Sequence, residues 1–269
     1  MRIKAFFCFL LLGMLVLGLS AIPNQAVSAQ MPVGGQYDLT ALSDLTSVWF
    51  DMPAEEIAQA NRELTQTEKS VYLTFDDGPD PTWTPQILSI LDRYGAGATF
   101  YMIGKNANTF PELVRSIAEH QQTIAVHGYN HMDLSTVDYN TFYREVYDTE
   151  AAILEALKQE PSLESQFGHC LRPPYGKVSE TLTQNAINMK YAISMWNIDT
   201  KDWQQPDPEE MLAEVVKRLE PEKVILMHDG GEERAQTVKA LQLILHELVM
   251  RGYEVLPYCT SEGQANWLP

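Results

Sequence analysis

The chain has 269 residues, 45% of them hydrophobic, enough for one large barrel or two small domains, and this excludes a disordered protein. A formal net charge of −17 makes nucleic acid and an anionic membrane surface poor partners, whereas a neutral polymer is compatible with it. With three cysteines and no CxxC pair, a cysteine-built zinc site is excluded.

Arg2 and Lys4 precede an apolar run from Ala5 to Leu19, and a polar stretch then ends in Val27-Ser28-Ala29. This is the layout of an export signal over residues 1–29, with cleavage expected after Ala29. The run is short for a spanning helix, and an uncleaved membrane anchor is the alternative. Cys8 lies in the signal, which leaves Cys170 and Cys259 to form one disulfide in an oxidising compartment if their Cα atoms approach. Residues 30–69 read as a polar extension or linker holding one short helix after Asp51. There Pro53 suits the first turn, and Glu55 and Glu56 favour its positive end.

From Ser70 onward, short β-prone runs alternate with stretches of helical period. The strands expected are VYLTF, ATFYMIG, TIAVH, HCLRPPY, AISMWNI, KVILMH and YEVLP. Between them fall TPQILSILDRY, PELVRSIAEHQ, a long helix from Tyr139 to Leu157, and helices near Ser179 to Met189, Pro208 to Leu219 and ending near Arg251. Pro111 and Pro208 fit helix starts and Gly252 a helix end. Seven strands with intervening helices predict an α/β fold over residues 70–269, a parallel sheet curled into a closed or nearly closed barrel. An open doubly wound sheet is the runner-up.

In parallel α/β folds the chemistry gathers where strands end. Those ends carry Asp76-Asp77-Gly78-Pro79, His127, Arg172-Pro173-Pro174-Tyr175, Asp199 with Asp202-Trp203, and His228-Asp229. Adjacent Asp76 and Asp77 cannot both ionise cheaply without a cation, so one suits a ligand and the other a base. Alone, Asp-Asp-Gly-Pro is equally good turn chemistry, and no GxxxxGK[ST] loop accompanies it to make a phosphate site. His127 and His131, four apart in a loop, can face one metal, and Gly128 removes the HExxH protease reading. Two histidines and one aspartate leave coordination positions open, as a catalytic zinc requires. Arg172 can hold a carboxylate ionised, and the two prolines fix the amide of Tyr175 as an oxyanion donor. His228 suits a general acid whose pKa is raised by a carboxylate such as Asp199. Trp203, Trp196, Tyr175 and Leu226 suit a pocket for an acetyl methyl and a sugar face, though each equally suits a core. His120, His169 and His246 read as structural.

TFDDG, HxxxH, RPPYG, DTKDW and LMH, in that order from about Val71 to Pro257, resemble the polysaccharide deacetylase family, the NodB-homology or carbohydrate esterase family four enzymes. The resemblance implies a distorted (β/α)7 barrel in which Asp77, His127 and His131 bind zinc, or cobalt or another divalent ion. It implies Asp76 as general base oriented by Arg172, the Tyr175 amide in the oxyanion hole, Asp199 tuning His228, His228 protonating the leaving amine, and Trp203 with Leu226 enclosing the acetyl group. The expected reaction is metal-dependent removal of N-acetyl groups from an N-acetylglucosamine polymer, peptidoglycan or chitin-like, by a monomer outside the cytoplasm. O-acetyl ester hydrolysis on acetylated xylan and a binding module without turnover are the alternatives. Two positions depart from the pattern: Gly128 stands where the family usually has Ser or Thr, and Val126 where it often has a small polar residue.

Overall fold

A computed structural model describes residues 69–259, and the export signal, the extension and the helix after Asp51 lie outside the described residues. The elements in order are β1 (Ser70–Asp76), α1 (Thr84–Tyr94), β2 (Ala98–Met102), α2 (Gly104–Thr109), α3 (Pro111–Glu119), β3 (Thr123–Val126), α4 (Tyr139–Leu157), β4 (Phe167–Leu171), α5 (Glu180–Asn188), β5 (Ala192–Ile193), β6 (Ile198–Asp199), α6 (Pro208–Arg218), β7 (Val224–His228), α7 (Ala235–Met250) and β8 (Glu254–Leu256). Every strand pairing is parallel. The sheet runs β5-β4-β3-β2-β1-β7-β6, with β8 also on β1.

The topology itself forces this sheet to curl. Its edge strands β5 and β6 are separated only by residues 194–197, a span of roughly 18 Å at full extension. Laid flat, the seven strands of that path would put the edges about 29 Å apart. The result is the distorted parallel barrel expected from the sequence, in place of an open doubly wound sheet. AISMWNI, expected as one strand, is two: β5 pairs with β4 and β6 with β7, and Ser194–Asn197 crosses the gap. ATFYMIG ends as a strand at Met102, and α2, which the periodicity did not predict, starts at Gly104. A Cβ at Gly104 would lie 2.6 Å from Thr149 Oγ1 on α4, so α2 can pack this closely only with glycine there.

Alternation along the strands sorts the two faces. On β1, Val71, Leu73 and Phe75 are fully buried on the helix side, each worth about 1.5–3 kcal/mol. Tyr72, Thr74 and Asp76 occupy the other face, the barrel interior, beside Thr99 and Tyr101 of β2. The lower interior is closed by the segment after β8: Tyr258 packs on Tyr72 and Val224, and the amides of Tyr258 and Cys259 donate to Thr99 Oγ1. Cys259 is disulfide-bonded to Cys170 of β4, with Tyr101 and Ala125 around them. Local signals set the helix ends. Asp138 caps α4 by accepting from the Thr141 amide at 2.8 Å, Ser179 caps α5, and Gly95, at φ 58°, ends α1.

Candidate active site

The site lies at the C-terminal ends of the strands, in a pocket of about 420 Å³ lined by side chains from β1, β7 and the loops after β1, β3, β4, β5 and β6. Asp76 is the last residue of β1 and points inward, 3% exposed. Arg172, fully buried, rises beneath it, stacked 4.0 Å over the ring of Tyr101. One of its terminal nitrogens donates to Asp76 Oδ1 at 2.7 Å and to Thr74 Oγ1 at 2.8 Å. A buried carboxylate is tolerated only with such a partner, and the pair leaves Asp76 Oδ2 directed toward the imidazole of His127, 3.7 Å away.

By alternation Asp77 would point out of the barrel, but its left-handed φ of 74° turns the chain back. Its Oδ1 comes to 3.4 Å from His127 Nε2 and 3.1 Å from His131 Nε2. His127 Nδ1 is 2.7 Å from the carbonyl oxygen of Arg172, an acceptor only, so that nitrogen carries the proton and Nε2 keeps its lone pair. Asp77 Oδ1 is buried and accepts no hydrogen bond. Asp77 Oδ1 and a ring nitrogen of each histidine lie within 4.8 Å of one another, a donor set that fits a divalent cation when both nitrogens are unprotonated. Burial opposes ionisation of Asp77, yet without a cation, when the His127 and His131 rings carry protons toward it, those rings hold its carboxyl below the ordinary range. His131, itself at φ 56°, is held by Tyr175, whose hydroxyl donates to the His131 carbonyl at 3.1 Å and whose ring meets the imidazole edge-on at 4.6 Å.

Tyr175 has φ 62°, a strained value for a residue with a side chain. The turn is locked by Gly176, where a Cβ would lie 2.6 Å from Trp196. Leu226 is buried at the pocket wall, and Trp203 is exposed at its rim. Beside Asp76, on the neighbouring strand β7, stands His228, whose Cα pairs with it in register.

Here the structure corrects one expected role. The carboxylate that pairs with His228 is Asp202, not Asp199. Asp202 Oδ1 meets His228 Nδ1 at 2.7 Å, and Oδ2 accepts the His228 amide at 2.8 Å and the Thr237 hydroxyl at 3.0 Å. Asp199 lines the pocket, its Oδ1 accepting from the Lys201 amide at 2.8 Å. The cause is local: Lys201 takes φ 58°, and the chain swings Asp202 inward to 1% exposure. Burial works against a charge on His228, but the hydrogen bond and charge of Asp202, then the charges of Asp76 and Asp77, push its pKa up to about 9.

Sequence reasoning gave no role to two further carboxylates. Asp229 is fully enclosed, accepts from the Thr84 hydroxyl at 2.6 Å and fills the space beside Gly78, where any Cβ would collide with it. Burial raises its pKa to about 7. Glu145, in mid-helix α4, reaches the loop between the two histidines.

The model of the family described as polysaccharide deacetylase matches residues 63–194. A peptidoglycan-N-acetylglucosamine deacetylase of Bacillus cereus is 36% identical over 193 residues, 71% of this chain and 87% of the relative. The chain belongs to the polysaccharide deacetylase family. Another relative, a chitooligosaccharide deacetylase of a Bradyrhizobium species, is 33% identical over 70% of this chain and 89% of its own. Among solved structures of the family, the Bc1960 peptidoglycan N-acetylglucosamine deacetylase superposes with a TM-score of 0.65 at 31% identity, covering 70% of this chain and 85% of that one. A family 4 carbohydrate esterase from Streptomyces lividans, solved with acetate, gives 0.64 at 29% identity over 73% and 96%. Polysaccharide deacetylases of this family depend on a metal, and the Asp77, His127 and His131 donors fit one here.

Proposed function

We propose that this chain is a zinc-dependent N-deacetylase acting on N-acetylglucosamine residues of a cell-wall glycan, peptidoglycan before chitin-like polymers. The observation that carries the reading is the convergence, in one pocket, of the Asp77, His127 and His131 donors with a carboxylate paired to Arg172 and an imidazole paired to Asp202. Fold alone would not suffice, because a family pseudoenzyme from Bacillus anthracis has a similar fold, with a TM-score of 0.63 at 25% identity. The two relatives described above support the amide substrate.

A divalent ion held by Asp77, His127 and His131 would supply Lewis acidity toward an acetyl carbonyl and a lowered pKa for water. Asp76, held in place by Arg172, takes the proton of the attacking water. The Tyr175 amide donates to the developing oxyanion. With Nδ1 committed to Asp202, Nε2 of His228 faces the pocket and gives its proton to the leaving amine, without which that amine is a poor leaving group. Leu226 in the pocket wall and Trp203 at its rim offer apolar contact to the acetyl methyl. We read residues 1–29 as an export signal and the protein as an extracytoplasmic monomer, with residues 30–69 leading to the catalytic domain; the Cys170–Cys259 disulfide supports an oxidising compartment.

The test is acetate release by the purified protein, metal-stripped and then refilled with zinc or cobalt, on N-acetylglucosamine oligomers, peptidoglycan and acetylated xylan in parallel. Release from the amide substrates that needs the metal and is lost in Asp77→Ala is the expected result. Release from xylan alone would make the protein an esterase, like the family 4 carbohydrate esterase of Streptomyces lividans. No release from any substrate at full metal occupancy would leave a binding module.

A further inference from the structure

The loop that joins His127 to His131 takes nothing from the residue after the first histidine, because Gly128 has no side chain and sits at φ 78°. Its backbone is nevertheless held by hydrogen bonds from both α2 and α4. The carbonyls of Gly128 and Tyr129 accept from the amides of Gly104 at 2.9 Å and Lys105 at 3.1 Å. The amides of Tyr129 and Asn130 both donate to Glu145 Oε2, at 2.8 and 2.9 Å, and the Asn130 side chain donates to Oε1 at 2.7 Å. Glu145 is 4% exposed and stands on the packed face of α4 with Phe142, Val146 and Thr149. No cation pairs with it among the ion pairs of the described residues; its charge is balanced by three N–H groups of a single loop. A Cβ at position 128 would approach Glu145 Oε2 to 3.3 Å, so the bare glycine and the carboxylate fit one another.

The same short stretch after β2 also grips the Asp77 turn. The Ile103 amide donates to the Gly78 carbonyl at 3.0 Å, and the Asn106 side chain donates to the Asp77 carbonyl at 2.9 Å. All three metal donors are thus referred to one frame, Ile103–Asn106, and the histidine loop is held in addition by Glu145. We propose that Glu145 is a positioning residue for the metal donors: its two oxygens set the path from His127 to His131, so that both Nε2 atoms face Asp77 before any ion binds. The inference rests on the reading of Asp77, His127 and His131 as the metal site.

Two substitutions separate reach from charge. Glu145→Asp keeps the charge and draws the carboxylate back by one methylene. Glu145→Gln gives up the charge but keeps an oxygen able to accept both amides, while its NH2 group can meet Asn130 after an amide flip. The measurement is zinc affinity of the full chain, by competition with a chromophoric chelator, together with the visible spectrum of the cobalt-loaded protein; near-ultraviolet circular dichroism checks the apo fold. Removing a residue that orients a ligand typically costs 10–100-fold in affinity. Glu145→Asp and Glu145→Ala are expected to bind zinc about 10–100-fold more weakly with an altered cobalt spectrum, and Glu145→Gln within about threefold of the parent. If Glu145→Ala fails to fold, the Asp and Gln variants decide. A parent that binds no zinc overturns the metal site and this inference together. Parent-like binding by Glu145→Asp, or Glu145→Gln as weak as Glu145→Asp, overturns the role of Glu145 alone.

Discussion

Replacing Asp202 with Asn should disable the general acid while leaving the metal donors alone. His228 is raised from 6.5 to about 9, a preference of about 3 kcal/mol for the protonated ring at 1.36 kcal/mol per unit. Of the contributions that raise it, the two largest come from Asp202, and burial opposes them. With Asn at 202 the opposing burial remains, and the ring returns to about 6.5 or below. A cation held by Asp77 would offset the smaller contributions of Asp76 and Asp77 equally in both proteins, so the difference belongs to Asp202. At pH 8 the parent ring is about 90% protonated and the variant's about 3%, so kcat/KM should fall about 30-fold there and recover toward the parent near pH 5.5. The assay is the pH profile of acetate release from N-acetylglucosamine oligomers, with an NMR titration of the His228 ring as the reading independent of turnover. Because the folded value is raised, the His228–Asp202 pair also stabilises the fold fully below about 6.5 and loses that contribution as pH rises through about 9. Superposable profiles for Asp202→Asn and the parent, or an equal shift in Asp199→Asn, would refute the reasoning.

Three further outcomes follow from the packing. Arg172→Ala leaves Asp76 buried and unpaired and should cost about 3–5 kcal/mol in urea unfolding. Joint replacement of Cys170 and Cys259 by serine opens a loop with a sequence separation of 89 and should lower stability by about 2–5 kcal/mol without altering zinc affinity at a temperature where the variant is folded. Gly78→Ala must displace Asp229 from the turn beside Asp77; a folded variant with zinc affinity equal to the parent's would show that this contact does not hold the ligand.

Strand ends were legible because β-strands alternate and parallel sheets put their C-terminal ends together, so Asp76, His127, Arg172 and His228 fall at one mouth from spacing alone. Asp77 and His131 reach it through left-handed backbone, which no periodicity reports. Asp199 and Asp202 are three apart, and only the φ of 58° at Lys201 decides which one turns inward. Glu145 did leave a trace in the sequence: Phe142, Val146, Thr149 and Ile153 form the buried stripe of α4, and a glutamate on that stripe requires a partner. The split of AISMWNI into two strands was not legible, because four residues crossing between sheet edges look like any other β-prone run.

The barrel also solves a problem that its own register creates. Asp76 and His228 are paired across β1 and β7, the base beside the acid. Left to themselves, a buried carboxylate and a protonated imidazole at neighbouring positions would pair with each other, and neither would act on substrate. Each is instead claimed from another direction: Asp76 from the barrel interior by Arg172, and His228 from the outer loop by Asp202 through both its ring and its backbone amide. Two separate ion pairs, Asp76 with Arg172 and His228 with Asp202, keep the base and the acid from pairing with each other. This is why Arg172 and Asp202, which need not touch the substrate, should still cost activity when lost, Asp202 in a way that lower pH restores and loss of His228 itself does not.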